Sequence, residues 1–226
     1  MPDISELPKS SEDKSYCDCR TCHCYTCRIY QQEVCVSLHE ASHLAAALHV
    51  GQPVNYAEII DVPHVPFKHT AGNVFCFPDH SSDKTITDDV FVAMAAIAMT
   101  KIYYLSPFGI GGDWKNVRNH LALLEKADKV EKKIAWKARR FVVRHKEQIF
   151  RLAHALQTRR RLDAEESKRI YRGKELVFVP RRFFDAVGVL RNVRWDEPNW
   201  EEFRKCEQYY PGGKSGIEFP PEYSKN

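Results

Sequence analysis

The pattern His39-Glu40-Ala41-Ser42-His43, set inside an amphipathic stretch, constrains this chain more than any other feature. Over residues 33 to 50, Val34, Leu38, Ala41, Ala45 and Leu48 recur at three- and four-residue spacings and make the apolar stripe of a helix. Gly51 supplies a stop and Pro53 prevents continuation. Histidines at i and i+4 stand one turn apart on one helix face. Both imidazoles can therefore reach one ion at about 2.0–2.1 Å. Glu40, beside the first histidine, is placed to hydrogen-bond a water on that ion instead of the ion itself. There it can take a proton as the water attacks a carbonyl and pass it to a leaving amine. The small residues Ala41, Ala45, Ala46 and Ala47 around the motif point to close packing.

A zinc hydrolase site needs a third protein ligand and an open position for water. The extension His-x-x-Gly-x-x-His fails here. Ala46 stands where glycine is required, and His49 lies six residues after His43 in an unbroken helix, which turns it away. The further donors are Glu58, Asp61, His64, His69, Asp79, His80, Asp88, Asp89 and Asp113. Loops and helix starts account for most of them without a metal. Asp113 follows Gly109-Ile110-Gly111-Gly112, whose glycines would let the backbone approach another element closely. Taken alone it reads as a plain N-cap aspartate.

The rest of the chain reads as mainly α with a small β element, an α+β fold. The 226 residues suit one domain of ordinary size with an appendage. Strands are expected over 54 to 61 and 72 to 77. A helix is expected from near Thr85, with Asp88 as its capping partner, running through VFVAMAAIAMTKIYYL; it is apolar nearly all round and should be buried. After SPFGIGGDW come a helix from Asp113 to about residue 127 and a long helix over about 130 to 158. A short helix follows, with Asp163 as N-cap and Glu166 three residues later. Beyond Lys174 the chain holds one expected strand, ELVFVP, and aromatic residues such as Trp195, Trp200, Tyr209 and Tyr210 that would tie a tail down.

Several of these segments together resemble the peptidase domain of FtsH, the membrane-bound ATP-dependent zinc protease, and its free-standing relatives. The resemblance spans residues 33 to 172. It rests on VSLHEASHLAAAL, on the buried VFVAMAAIAMTKIYYL, on GIGGDWKNVRNHLALL and on IFRLAHALQTRRRLDAEE, in the family's order. It implies a zincin-like metallopeptidase with Zn2+ on His39, His43 and Asp113, since the family's third ligand is the aspartate opening that helix. It implies Glu40 as general base and a peptide or unfolded protein as substrate. Residues 72 to 77 would then be an edge strand beside the metal, an ordinary core strand being the alternative, with Phe75 and Phe77 on one face and Val74 and Cys76 on the other.

The chain departs from the family in three places. The family has glycine at Ser42. It has Gly-x-x-Ala-Glu-Glu where this chain reads Thr100-Lys101-Ile102-Tyr103-Tyr104. No segment the size of the family's ATPase module precedes His39, so the peptidase would act on flexible segments or with a partner ATPase. Gly212-Gly213-Lys214-Ser215 is not a phosphate loop, because Gln208 stands where glycine is needed.

The expected organisation is a disordered lead and Cys-rich segment over 1 to 32, the peptidase unit over 33 to 172, and a packed extension over 173 to 226. The lead segment holds Cys17, Cys19, Cys22, Cys24 and Cys27. Only His23 separates its two Cys-x-x-Cys pairs, too few residues for a zinc ribbon. Four of the thiolates, or three with His23, could wrap a second zinc; mobile thiols and a redox-sensing state are the alternatives. Cys35, one turn before His39, is a further candidate ligand or inhibitory thiolate, while Cys76 and Cys206 read as buried thiols.

The longest apolar run, around 90 to 99, is short of the roughly 20 residues of a membrane span. The polar N-terminus is no secretory signal, so a reducing, cytoplasmic setting is expected. A net charge of +4 does not by itself argue for nucleic acid. The basic run Lys132, Lys133, Lys137, Arg139, Arg140, Arg144 and Arg159-Arg160-Arg161 reads as the solvated face of a long helix. Two other classes remain open: a non-catalytic zinc-binding interaction module and a nucleic-acid-associated protein. The oligomeric state is open as well.

Overall fold

The computed structural model describes residues 25–62, 69–77, 80–103, 110–184 and 186. Within them the chain is mainly helical with one small antiparallel sheet. The central element is helix α1, Tyr25–Val50. Its apolar stripe, Val34, Leu38, Ala41 and Ala45, is fully buried. The helix starts eight residues before the expected boundary at 33, so the backbone of Cys27 is helical. It ends as the sequence requires. Gly51 takes a left-handed φ of +77°, and the N–H of Gln52 returns to the carbonyl of Ala47 at 2.9 Å.

Strand β1, Val54–Val62, pairs antiparallel with β2, His69–Cys76, on one side and with the short β3, Arg161–Asp163, on the other. The order β2-β1-β3 makes β2 an outer strand of the described sheet. Its alternation follows the expected faces: Phe75 and Phe77 are exposed, while Val74 and Cys76 pack on the core. β2 also packs against α1, which carries the sheet's edge to the histidine motif.

Helix α2, Asp83–Tyr103, lies between α1 on one side and α3 and α4 on the other. That position explains its lack of a polar face. Ala93, Ala95 and Ala96 are buried, as are Ala41, Ala45, Ala46 and Ala47 of the α1 helix it packs on, and small side chains let packed backbones come close. Its cap differs from the expected Thr85–Asp88 pair. Ser82 and Thr85 exchange backbone-to-hydroxyl bonds of 3.2 Å each way, and Asp88 instead pairs with Lys84 at 2.7 Å.

Further boundaries differ from the sequence reading. Helix α3, Ile110–Leu121, begins three residues before Asp113, which therefore sits in the first turn and is not an N-cap. A Cβ on Gly112 would meet open space, so that glycine does not serve a close approach. The long helix expected over 130 to 158 is two helices, α4 (Ala127–Arg144) and α5 (Lys146–Arg159), parted at His145. The break lets α4 cover α2 while α5 turns to cover α1, which one straight rod could not do.

Arg160 ends α5 with a left-handed φ of +65°, and its side chain pairs with Asp61 and Glu33. Helix α6, Ala164–Tyr171, starts as expected, Asp163 accepting from the N–H of Glu166 at 2.8 Å. ELVFVP is not a strand. Its alternation is real, with Leu176 and Phe178 89% and 83% exposed, but among the described residues no strand is paired with it. Beyond it Phe183 is fully buried and anchors this end of the chain in the core. No helix among the described residues is long and apolar enough to cross a membrane.

Candidate metal centre

Two helices bring His39, His43 and Asp113 together. α1 presents both histidines inward, with ring centroids 4.9 Å apart and planes at 84°. α3 delivers Asp113 from its first turn. His39 Nε2 lies 3.0 Å from Asp113 Oδ2, and His43 Nε2 lies 3.1 Å from Oδ1. Donor atoms around a tetrahedral zinc stand about 3.3 Å apart, given bonds of about 2.0–2.1 Å. The three side chains are thus already at ligating distance from one another.

The opposite ring nitrogens fix the tautomers. His43 Nδ1 lies 3.1 Å from the carbonyl of Val92 on α2; a carbonyl only accepts, so Nδ1 carries a proton and Nε2 is the nitrogen that faces Asp113, donating to it when the ring is charged and free to ligate a cation when it is not. His39 Nδ1 faces the Thr100 hydroxyl at 3.4 Å, and that hydroxyl donates to the carbonyl of Ala96 at 3.0 Å, leaving its own lone pair toward the ring. Thr100 belongs to the segment where the chain departs from the FtsH pattern, yet it supplies the contact that orients His39. Ser42, the other departure, is fully buried and donates to the carbonyl of Leu38 at 2.7 Å, so its hydroxyl is satisfied inside the core.

Two observations make this donor set fit a cation. Asp113 Oδ2 is buried and has no hydrogen-bond partner, although His39 Nε2 is 3.0 Å away. Close donors without hydrogen-bond alignment suit lone pairs that converge on a common point. Two imidazoles and one carboxylate are also a ligand set that zinc accepts.

Without metal the charges settle differently. Burial pulls the His43 pKa down, but Asp113, with help from Glu40 and the Val92 carbonyl, overcomes this and holds it at about 9. Asp113 pays burial in the other direction, and the attraction of His43 and His39 holds its carboxyl well below the usual range.

Glu40 is buried beside the pair. Burial pushes its pKa up, His39 and His43 pull it down, and Asp113 adds to the rise; the net shift is upward. β2 crosses directly over it. A Cβ on Gly72 would lie 2.8 Å from Glu40 Cδ and 2.9 Å from Oε1, both too close for carbon, so only glycine leaves the carboxyl its place. Nothing in the sequence alone marked Gly72, because the approach joins residues 32 positions apart in the chain.

The remaining candidates fall into clear groups. Glu58 pairs with Arg161, Asp61 with Arg160 and Asp88 with Lys84, away from the histidine pair. His49 turns away, packing on Phe91, Phe141 and His145. Cys35 is buried in the apolar core and does not join the converging donors. His64, Asp79, the side chain of His69, Cys17, Cys19, Cys22, Cys24, the side chain of Cys27, Cys206 and the tail aromatics lie outside the described residues.

The basic run is divided. Lys132, Lys133, Lys137, Arg139, Arg140 and Arg144 line the exposed face of α4, whereas Arg159, Arg160 and Arg161 face carboxylates. His80 and Asp89 do meet, 3.1 Å apart, and His120 joins them; the sequence reading had not considered His120. Its one signal is the spacing from Asp113, seven residues or two turns along one face of α3.

In comparison with known proteins, no family model and no curated protein matches the chain.

Proposed function

We propose that this chain is a zinc-dependent metallopeptidase with a zincin-like fold, related to the FtsH peptidase domain. The observation that carries the reading is the convergence of His39, His43 and Asp113 with both Nδ1 atoms facing partners, next to a buried glutamate. His39 Nε2, His43 Nε2 and Asp113 would hold Zn2+. When bound, zinc supplies a Lewis acid that polarises a carbonyl and acidifies water.

The chain's own residues then divide the work. Glu40 is the general base, adjacent in sequence to His39 and facing the same space. Burial disfavours its charged form in the metal-free protein, and positive charge in the site favours the carboxylate that a base requires. After taking a proton from water it can return it to the amine of the leaving peptide. Thr100 and Val92 keep the imidazoles from rotating. Gly72 keeps Glu40 in position.

An extended peptide would bind by adding to the outer edge of β2, with Phe75 and Phe77 near its side chains. A cytoplasmic location belongs to the same reading and rests on the sequence.

The test pairs metal content with hydrolysis. Wild-type protein should cleave an unstructured peptide library, Glu40→Gln should keep its zinc and lose cleavage, and His43→Ala should lose that zinc. Equal activity in Glu40→Gln would sink the mechanism. Bound zinc with no cleavage of any peptide would leave a non-catalytic zinc module.

A further inference from the structure

A second group of donors stands outside the centre described above. His80 precedes α2, Asp89 lies in the second turn of α2, and His120 lies in the last turn of α3. One ligand atom from each falls within 4.8 Å of the others. His80 Nε2 is 3.1 Å from Asp89 Oδ2, and the two imidazoles stand 4.8 Å apart at 62°.

A His80–Asp89 ion pair accounts for two of the three groups and leaves the convergence of His120 unexplained. Asp89 is only 7% exposed, and its Oδ2 is buried with no hydrogen-bond partner even though Nε2 lies at contact distance. His120 Nδ1 is buried and unpartnered as well. Leaving a buried carboxylate oxygen unsatisfied is costly, and a cation among the three donors removes that cost.

The carboxylate is also aimed. Gln52, brought round by the turn that ends α1, donates to Asp89 Oδ1 at 2.8 Å. That bond occupies one oxygen and leaves Oδ2 for the histidines, as partners behind a metal-binding carboxylate commonly do.

We propose that His80, Asp89 and His120 form a second divalent-metal site, of zinc type, that ties the start of α2 to the end of α3. Two imidazoles and one carboxylate suit Zn2+, and the half-exposed His80, at 43%, leaves the remaining coordination to water. The helices it joins are the ones that serve the first centre. Asp113 and His120 lie on one face of α3, about 10 Å apart along its axis, and Asp89 lies one turn before Val92 on α2. Metal here fixes the helix that carries Asp113. No glutamate like Glu40 adjoins the three donors in the sequence, so the role is to hold structure.

The site is separable from the peptidase reading, and the experiment keeps the two apart. In the full-length chain, His39→Ala with His43→Ala empties the first centre. Zinc content and zinc-dependent melting are then measured in that variant with and without His80→Ala and His120→Gln. The expected result is the loss of one zinc equivalent on the second pair of substitutions. A zinc-induced rise in Tm of about 5–10 °C at a hundredfold excess over Kd should vanish with it. Any zinc held by the cysteine segment is common to both variants and cancels in the difference. His80→Ala alone, on a half-exposed residue, tests the same loss should the pair misfold; circular dichroism in EDTA checks the fold. Equal zinc content and equal melting in the presence and absence of His80 would overturn the proposal. Equal zinc in wild type and in the His39→Ala, His43→Ala variant would count against the first centre alone.

Discussion

The two clusters each use two histidines and one aspartate, in different surroundings. His39, His43 and Asp113 are deeply set, and both rings are steadied from behind by Thr100 and Val92. Glu40 stands beside them and a strand edge passes over it. In the His80, Asp89 and His120 cluster it is the carboxylate that is steadied, by Gln52, while His80 reaches toward solvent. Ligand type therefore does not decide function. The neighbours do: a buried base and room for an extended chain suit hydrolysis, whereas a tie between two helices suits stability.

The comparison breaks most visibly at Glu40. Glu40→Gln should lower kcat/KM for peptide cleavage by about 10²–10⁴ with zinc content unchanged. Activity that survived would make the clusters alike, both merely structural. Gly72→Ala comes next. The added methyl displaces the Glu40 carboxyl, and a shift of about 1 Å should cost about 10²-fold in kcat with zinc retained. Thr100→Val removes the hydroxyl facing His39 while keeping the side chain's shape. Zinc affinity of the first centre should fall about tenfold in a chelator competition, and the second cluster should be untouched.

The smallest expected effect is one of pH. His43 is held at about 9 in the metal-free protein, against an ordinary 6.5. A raised pKa means that the folded state holds the proton more tightly. The ion pair's contribution is therefore complete below pH 6.5 and is lost as pH rises through about 9. Melting in EDTA should show this decline, and His43→Gln should flatten it. Zinc must displace the same proton, so zinc uptake below pH 9 should release protons, measurable by calorimetry in buffers of different ionisation enthalpy.

Much of this was legible in the residues. The stripe of α1, the stop at Gly51, the buried α2, the cap at Asp163 and the shared face of Phe75 and Phe77 follow from local periodicity and turn chemistry. So does the pairing of His39 with His43, since helix geometry alone places them one turn apart. Where reading failed, a long-range contact decided. α4 and α5 share one continuous helical pattern, and the break at His145 is set by the two helices they cover. ELVFVP alternates like a strand, but a strand needs a partner and none among the described residues pairs with it.

Sequence by itself determined the two histidines, the neighbouring glutamate and the helix that presents them, because all four lie within one local repeat. It singled out Asp113 only through resemblance, since spacing along the chain carries no measure of distance across 70 residues. Tertiary structure decided that Asp113 meets both imidazoles, that Thr100 and Val92 face their far nitrogens, and that Gly72 leaves room for Glu40. It also gathered His80, Asp89 and His120 from a segment before one helix, its second turn and the end of the next. The physical reason is the same throughout. Periodicity fixes which face a residue takes on its own helix, and only packing of small side chains between α1 and α2, with α3 laid against them, fixes which faces meet.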